Sequence, residues 1–152
     1  MHDPLELGRV TDRRPPFKYS ALNRVWFSDT DAQGVVYYGR YLPYFDHART
    51  EYHRHVGGEV GIAGAEFVMR ALQVEYLAPA RFDDLIEAFV RVSRIGRTSI
   101  TYECAAYRLP DETLMVQATQ TLVLVDSSHR PTPIPESFKE TIRAFEGADL
   151  QE

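Results

Sequence analysis

Residues 28–57, SDTDAQGVVYYGRYLPYFDHARTEYHRHVG, decide the fold, because a polar turn is followed at once by the only long helical pattern in the chain. Side-chain oxygens over residues 28–31 compete for local backbone amides and Gly34 closes the run, which predicts a turn over residues 28–34. Beyond the turn, apolar residues recur at helical spacing on one stripe: Tyr41, Tyr44, Phe45, Ala48, Tyr52, His55 and Val56. The opposite face carries Asp46, Arg49, Thr50, His53 and Arg54. We therefore predict an amphipathic helix with one buried face, ending at Gly57-Gly58.

Strand patterns surround this helix. One precedes it over residues 17–27, and others follow a glycine-rich link at residues 67–76, 85–93, 98–107 and 115–125. Helical spacing returns over residues 136–145. The predicted fold class is α+β, with one long helix on one face of an antiparallel sheet. We assign residues 17–146 to a single domain and residues 1–16, which are charged and end in two prolines, to a flexible tail.

The composition excludes several classes of protein. Lys and Arg number 17 against 22 Asp and Glu, and the net charge of −5 argues against nucleic acid and anionic membranes as partners. The single cysteine, Cys104, excludes an internal disulfide and a cysteine-based zinc site, and it suits a reducing compartment. No apolar run approaches the roughly 18 residues of a membrane span, and the first residues lack the apolar core of a secretory signal. We therefore predict a cytoplasmic protein.

Four blocks of sequence carry a family resemblance. Residues 29–51 resemble the signature of hot-dog-fold acyl-CoA thioesterases of the 4-hydroxybenzoyl-CoA thioesterase type, including the Tol-Pal-associated subgroup. The resemblance continues through VEYLAPARFDD at residues 74–84, RIGRTS at 94–99 and RPTPIP at 130–135, and so spans about residues 18–140. It implies a hot-dog fold, hydrolysis of an acyl-CoA thioester, and no cofactor beyond the coenzyme A of the substrate. It also implies a homodimer or homotetramer with active sites at the subunit interface, which agrees with the small share of such a sheet that one helix covers.

The chemistry of thioester hydrolysis selects candidate catalytic residues. A catalyst needs a carboxylate that attacks or activates water, and donors placed where the oxyanion develops. The resemblance implies that Asp31 is the carboxylate and that the backbone N–H of Tyr38, at the start of the long helix, polarises the carbonyl. We expect Gly34 to let the turn pass close to the substrate, and Asp29 to be a structural hydrogen-bonding partner of the turn.

Candidate binding residues lie in two places. Arg94, Arg97, Thr98 and Ser99 concentrate donors at a hairpin, which the resemblance places near the nucleotide part of coenzyme A. Tyr37, Tyr38 and Tyr41 are candidates for lining an acyl pocket. The alternatives are ordinary solvated turn residues in the first case and plain core aromatics in the second.

The Asp-containing turn and the long helix each allow another interpretation. An Asp before a helix is commonly a cap or turn-former, and a calcium loop is disfavoured because no acidic residue follows at its closing position. His47, Glu51 and His55 are spaced four residues apart, but only His55 falls on the apolar stripe, so we predict no metal site. For Glu51 we expect a salt bridge with Arg54 or His47.

The sequence departs from the Tol-Pal-associated subgroup at two positions. Many relatives in the Tol-Pal-associated subgroup carry His at the position of Tyr38, and some carry Asn at that of Arg40, which puts the substrate in question more than the reaction.

The second function considered is a non-catalytic binding module for acyl-CoA or acyl carrier protein on the same fold. The third, a dehydratase, ranks last because its helical His-Asp pair is not found.

Overall fold

The computed structural model describes residues 5–57 and 61–152, which form one antiparallel sheet with helices on one face. The strands and helices are β1 (Gly8–Val10), β2 (Tyr19–Arg24), α1 (Tyr41–Gly57), β3 (Glu66–Tyr76), β4 (Leu85–Ile95), β5 (Ser99–Leu109), β6 (Thr113–Val125) and α2 (Glu136–Glu146). Short 3₁₀ turns cover Phe27–Asp29, Tyr38–Arg40 and Gly147–Asp149. The strand order in the sheet is β1-β2-β4-β5-β6-β3. The predicted α+β class and the order of its long elements are confirmed.

Helix α1 packs its apolar stripe on the inner face of the sheet. Tyr41, Tyr44, Phe45, Ala48 and Tyr52 are buried, as the helical spacing predicted. The sheet meets them with alternate residues of its central strands: Ala21, Ile86, Ala88, Val90, Val92, Ile100, Tyr102, Cys104 and Ala106. The helix ends at Gly57, and Gly58 of the predicted stop lies outside the described residues.

One position on α1 was wrongly predicted. His53, expected on the solvent face, is buried. The reason is α2, whose Phe138 ring stacks on the His53 ring with centroids 5.1 Å apart. On its other side, His53 Nε2 lies 2.6 Å from the hydroxyl of Tyr102. Burial, followed by the nearby positive charge of Arg49, lowers the pKa of His53 to about 3, so the imidazole is neutral.

The interpretation of residues 1–16 as a loose tail is wrong where the structure describes a strand. Strand β1 pairs antiparallel with β2, with Val10 opposite Tyr19. Farther along, Arg13 binds the carboxylate of Glu87, and the Arg14 guanidinium lies 3.7 Å from the centroid of the Tyr107 ring. These contacts bury Glu87, which the alternation of β4 had placed on the polar face. Residues 1–4 lie outside the described residues.

The two ends of the sheet carry different parts of the predicted site. The turn after β2 is joined to the segment before β4, because Val36 N–H donates to Ala80 O at 2.8 Å and Val25 N–H to Asp84 O at 2.9 Å. The β4–β5 connection lies at the other end of β4, whose 11 residues span about 33 Å at a strand rise of about 3.3 Å.

Strand β3 forms one edge of the sheet. It pairs with β6, and over the part of the chain that the structure describes no strand pairs with its other side. Met69 and Leu72 are 44% and 42% exposed on this edge. An 11-residue edge with exposed apolar side chains is a surface on which another strand can pair.

None of the described helices combines the length and the apolar character needed to cross a membrane.

Candidate active site

Asp31 lies at the first position of a tight turn. Gly34 N–H donates to Asp31 O at 3.0 Å, and Asp31 N–H donates to Val35 O at 2.9 Å. Gly34 has a φ of +79°, and a Cβ built there meets nothing within 4 Å. The glycine is thus required by its left-handed backbone conformation, whereas the sequence-based reason was close approach to a substrate.

The Asp31 carboxylate is oriented by its own turn. Its Oδ1 accepts the backbone N–H of Gln33 at 2.8 Å, the bond expected of a turn-forming aspartate. Among residues 5–57 and 61–152, no hydrogen-bond donor reaches Oδ2. The side chain is half-buried. A carboxylate held in this way keeps one oxygen available for chemistry.

Asp29 is a structural partner of the turn, as predicted. Its Oδ2 accepts the backbone N–H of Trp26 and the hydroxyl of Tyr44, both at 2.9 Å. Its backbone oxygen accepts the N–H of Tyr37 at 2.9 Å. Burial and the hydrogen bond to Asp29 raise the pKa of Tyr44 well above its ordinary value.

Tyr38 stands where the chain enters the long helix. It is the first residue of the 3₁₀ turn Tyr38–Arg40, which runs directly into α1. The first N–H groups of such a segment have no partner within it, and the helix dipole places partial positive charge there. The backbone N–H of Tyr38 lies at this entry to the helix, whatever the side chain.

An aromatic cleft of about 300 Å³ lies beside this helix start. It is lined by Val36, Tyr38, Tyr41, Tyr76, Leu77, Ala78 and Pro79. Tyr76 donates its hydroxyl to the Tyr38 carbonyl at 3.0 Å, and the two rings meet edge to face with centroids 6.2 Å apart. Sequence analysis missed Tyr76 as a site residue, although it lies in the block at residues 74–84 that carried the resemblance.

The three predicted aromatic residues have different environments. Tyr41 is buried, and its hydroxyl oxygen accepts the N–H of Ala80 at 2.9 Å, so it is a core residue that also reaches the cleft. Burial raises the pKa of Tyr41. Tyr37 is exposed and packs against the ring of Tyr38 at 4.3 Å between centroids, but it does not line the cleft. Tyr38 is exposed and lines the cleft.

The basic hairpin is ordered by backbone hydrogen bonds and is remote from Asp31. Gly96 N–H donates to Ser99 O, and Leu124 N–H donates to Thr98 O, both at 2.8 Å. Arg94 and Arg97 are exposed, and neither pairs with a carboxylate within residues 5–57 and 61–152. Because they lie at the far end of β4, one chain does not bring them together with the Asp31 turn.

Two of the helix residues considered as metal ligands, Glu51 and His55, contact side chains of complementary charge. Glu51 Oε2 accepts from Arg54 Nε at 3.3 Å, which confirms the predicted salt bridge, and His55 Nδ1 lies 3.0 Å from a carboxylate oxygen of Glu6. The described part of the chain contains no group of three or more His, Cys, Asp or Glu side chains arranged to hold a metal ion.

Comparison with known proteins agrees with this architecture. A sequence model of the thioesterase superfamily matches residues 33–115. The acyl-CoA thioester hydrolase YbgC of Escherichia coli O6:H1 is 36% identical over 119 residues, which are 76% of this chain and 88% of that protein. The acyl-CoA thioesterase YbgC of Haemophilus influenzae is 37% identical over 122 residues, with 76% and 88% covered. The crystal structure of a thioesterase from Thermus thermophilus, complexed with coenzyme A and Zn, has a TM-score of 0.75 and 30% identity, covering 84% of this chain and 93% of that one.

The superposition and the helix-on-sheet arrangement confirm the predicted hot-dog fold. With the superfamily model matching more than half of the sequence and curated relatives above 30% identity, this chain belongs to the thioesterase superfamily.

Proposed function

We propose that this chain hydrolyses acyl-CoA thioesters, with Asp31 as nucleophile or general base and the backbone N–H of Tyr38 as oxyanion donor. The observation that carries the proposal is the juxtaposition at one end of the sheet. A turn presents a carboxylate with one oxygen that no donor among the described residues reaches, and the same loop leads into a helix start beside an aromatic cleft. Membership of a family whose relatives include acyl-CoA thioester hydrolases supports the reaction class.

The two mechanisms differ in the atom that attacks the carbonyl carbon. As a base, Asp31 takes a proton from water, the hydroxide adds to the carbonyl, and the C–S bond breaks to release coenzyme A, which is protonated as it leaves. As a nucleophile, Asp31 displaces coenzyme A and forms an anhydride, which water then hydrolyses. In both, negative charge develops on the carbonyl oxygen, where the N–H of Tyr38 stabilises it. After a single turnover in ¹⁸O-labelled water, label in Asp31 identifies the nucleophilic route, because water oxygen enters the carboxylate only when an anhydride is hydrolysed at the Asp31 carboxyl carbon.

The arginines of the basic hairpin are proposed to bind the phosphates of coenzyme A. Arg94 and Arg97 offer exposed guanidinium groups in a protein of net charge −5, and they keep their charge for a ligand because no carboxylate among the described residues neutralises them. The related Thermus thermophilus protein was crystallised with coenzyme A, which supports this ligand. The substrate then needs the hairpin and the Asp31 turn within reach of each other.

A homodimer paired along β3, alone or as half of a tetramer, meets this need. Antiparallel pairing of two β3 edges about a two-fold axis places the start of one strand beside the end of the other. The start of β3 lies at the hairpin end of the sheet and the end of β3, Tyr76, lines the cleft. One subunit's cleft is thereby brought to the end of the sheet where its partner carries the basic hairpin. Replacing the exposed Leu72 by Lys is expected to yield monomers in analytical ultracentrifugation.

A cavity under α1 then offers additional room for the acyl group. It has a volume of about 290 Å³, lies at the start of β3, and is lined by Arg49, Thr50, His53, Gly61, Ile62, Ala65, Glu66, Phe67, Tyr102 and Leu122. In the paired arrangement this cavity adjoins the cleft of the other subunit. We propose that acyl groups longer than the aromatic cleft extend into it.

Asp31→Asn tests the catalytic assignment. Asn keeps the turn, because its side-chain oxygen still accepts the N–H of Gln33, but it removes the carboxylate. We expect kcat to fall at least about 100-fold on a panel of short, long and aromatic acyl-CoA esters. Asp126→Asn is the matched control, since Asp126 Oδ1 accepts Ser128 N–H at the same 2.8 Å in a turn that does not line the cleft. Hydrolysis of no ester by the wild type would leave a non-catalytic acyl-CoA binding module as the better description, whereas full activity of Asp31→Asn would refute Asp31 as the catalytic carboxylate.

Mixed dimers test the shared site. The Asp31→Asn variant keeps its arginines, and a variant with Arg94→Gln and Arg97→Gln keeps its Asp31, so each homodimer lacks one half of every site. Refolding the two together in equal amounts gives half mixed dimers with one intact site each, or about a quarter of wild-type activity at low substrate concentration. If mixed dimers form and activity does not return, the two elements do not serve one site.

A further inference from the structure

One partly buried contact connects the Asp31 turn to the long helix through a residue that does not line the cleft. Tyr44, on the buried face of α1, donates its hydroxyl to Asp29 Oδ2 at 2.9 Å. The same oxygen accepts Trp26 N–H, where the chain enters the turn, and the backbone oxygen of Asp29 accepts Tyr37 N–H. Asp29 thus joins three segments: the entry of the turn, the first turn of α1, and the residue before Tyr38.

This connection controls the spacing of the two groups that carry the proposed chemistry. Asp31 follows Asp29 by two residues, and Tyr38 follows Tyr37 by one. The tip of the turn is exposed, and the bonds made there are local, from Asp31 to Val35 and from Gln33 to Asp31. Local bonds keep the shape of the tip but do not set its position relative to the helix. The contacts of Asp29 with Tyr44 and with Tyr37 do.

We infer that Tyr44 is a positioning residue, whose hydroxyl acts through Asp29 to hold the Asp31 carboxylate at a fixed distance from the N–H of Tyr38. The inference rests on the proposed function. Tyr44 does not line the cleft, and we therefore expect it to act on alignment and not on substrate binding. Its loss is expected to lower kcat, which depends on alignment of the reacting groups, and to leave KM nearly unchanged.

The helix contains a matched control for this residue. Tyr52 lies two turns farther along the same buried face and donates its hydroxyl to the carboxylate of Glu146 at 2.6 Å. Both tyrosines are buried and both bind a carboxylate, but Glu146 belongs to α2 and has no part in the turn. A general weakening of α1 affects both contacts, whereas a positioning role belongs to Tyr44 alone.

The test compares Tyr44→Phe with Tyr52→Phe in the full-length protein. For Tyr44→Phe we expect a fall in kcat of about 10- to 100-fold, KM within about 2-fold of wild type, and faster hydrogen exchange at the Tyr37 amide. For Tyr52→Phe we expect a lower Tm with wild-type kcat and unchanged exchange at Tyr37. Wild-type kcat in Tyr44→Phe, or an equal loss of kcat in Tyr52→Phe, would overturn the inference.

Substitutions of Asp29 test the route through which Tyr44 acts. Asp29→Asn keeps an oxygen that accepts from Trp26 and Tyr44, and it should retain most of the kcat, whereas Asp29→Ala should lose about as much as Tyr44→Phe. Adding Tyr44→Phe to Asp29→Ala should cause little further loss, because both remove the same contact. Additive losses would overturn the inference. Full activity of Asp31→Asn would instead refute the proposed function, and the exchange rate at Tyr37 still reports whether Tyr44 holds the turn.

Discussion

Replacing Glu146 by Ala is expected to destabilise the fold more than any exposed charge change on the same helix. Glu146 is 1% exposed, and its Oε2 accepts the Tyr52 hydroxyl at 2.6 Å and the Val92 N–H at 3.0 Å. One carboxylate oxygen therefore holds together α2, α1 and β4. The other oxygen, Oε1, is buried and has no hydrogen-bond partner among the described residues.

The magnitude follows from the groups that the substitution leaves behind. Tyr52 and Val92 are both fully buried, so the hydroxyl of one and the N–H of the other lose their acceptor without gaining water. Each buried donor left unpaired costs about 1–3 kcal/mol, and two donors are affected. Removal of the buried carboxylate offsets part of this cost, so we expect the free energy of unfolding to fall by about 2–5 kcal/mol. This is a large share of the roughly 5–15 kcal/mol by which domains are stable.

Urea unfolding at a fixed protein concentration measures this loss. Far-UV circular dichroism is the suitable signal, because Trp26 is 70% exposed and its fluorescence reports little of the core. Glu136→Ala is the control, since Glu136 lies on the same helix and pairs with Arg143 at the surface. A loss below about 1 kcal/mol for Glu146→Ala, or one equal to the control, would refute the reasoning.

The pH dependence of a Gln variant gives an independent check. Burial raises the pKa of Glu146, which outweighs the hydrogen bonds from Tyr52 and Val92. Its contribution to stability is therefore fully present below the ordinary pKa of 4.5 and is lost as pH rises through the higher value of the folded state. Glu146→Gln keeps an acceptor oxygen and does not ionise, so it should gain stability relative to wild type as pH rises from about 4 to 7. A constant difference would contradict this account.

Three more substitutions have distinct expected outcomes. Burial alone would raise the pKa of Glu87, but hydrogen bonds, led by that of Arg13, hold this pKa below 4.5, so the stabilisation that the carboxylate provides is lost as pH falls. Glu87→Gln should therefore flatten the acid side of the profile of Tm against pH, and an unchanged profile would contradict this. Replacing Arg94 and Arg97 by Gln should raise KM for acyl-CoA esters and reduce its dependence on salt at constant kcat, whereas an unaltered salt dependence would remove the hairpin from the binding site. Gly34→Ala places a side chain at a φ of +79°, which should lower the free energy of unfolding in urea by about 1 kcal/mol and reduce kcat. Wild-type values of both quantities would show that the turn tolerates Ala.

The core could be predicted where burial follows one periodicity. The alternation of Ile86, Ala88 and Val90 correctly placed their side chains under α1, because a two-residue repeat identifies one face of a strand. It failed for Glu87, which is buried by a charged segment more than 70 residues away in sequence. Helical spacing failed for His53 because a second helix, α2, covers a face of α1 that this spacing assigned to solvent. Local periodicity specifies neither the partner of a buried charge nor a second element that covers the same face.

The candidate site could be predicted where it is contiguous in sequence. Asp29, Asp31 and Tyr38 belong to one loop, so their types and spacing were enough to assign them roles, and the structural role of Asp29 is confirmed. Tyr76 reaches the cleft only through the pairing of β3 with β6, which a single sequence does not specify. The distance of the basic hairpin from Asp31 likewise follows from topology.

That distance is a consequence of strand order. The turn bearing Asp31 follows β2, and β2 runs antiparallel to β4, with Arg24 opposite Leu85. The turn therefore lies at the start of β4, whereas the hairpin that bears Arg97 lies by construction at the end of β4. In any chain with this order the two are separated by the full length of the strand, and no movement of a loop removes about 33 Å. A site that uses both the carboxylate and the arginines requires a second copy turned end for end. The β3 edge, which no strand of the described residues covers and whose two ends exchange places under a two-fold axis, is the element that the proposed dimer uses.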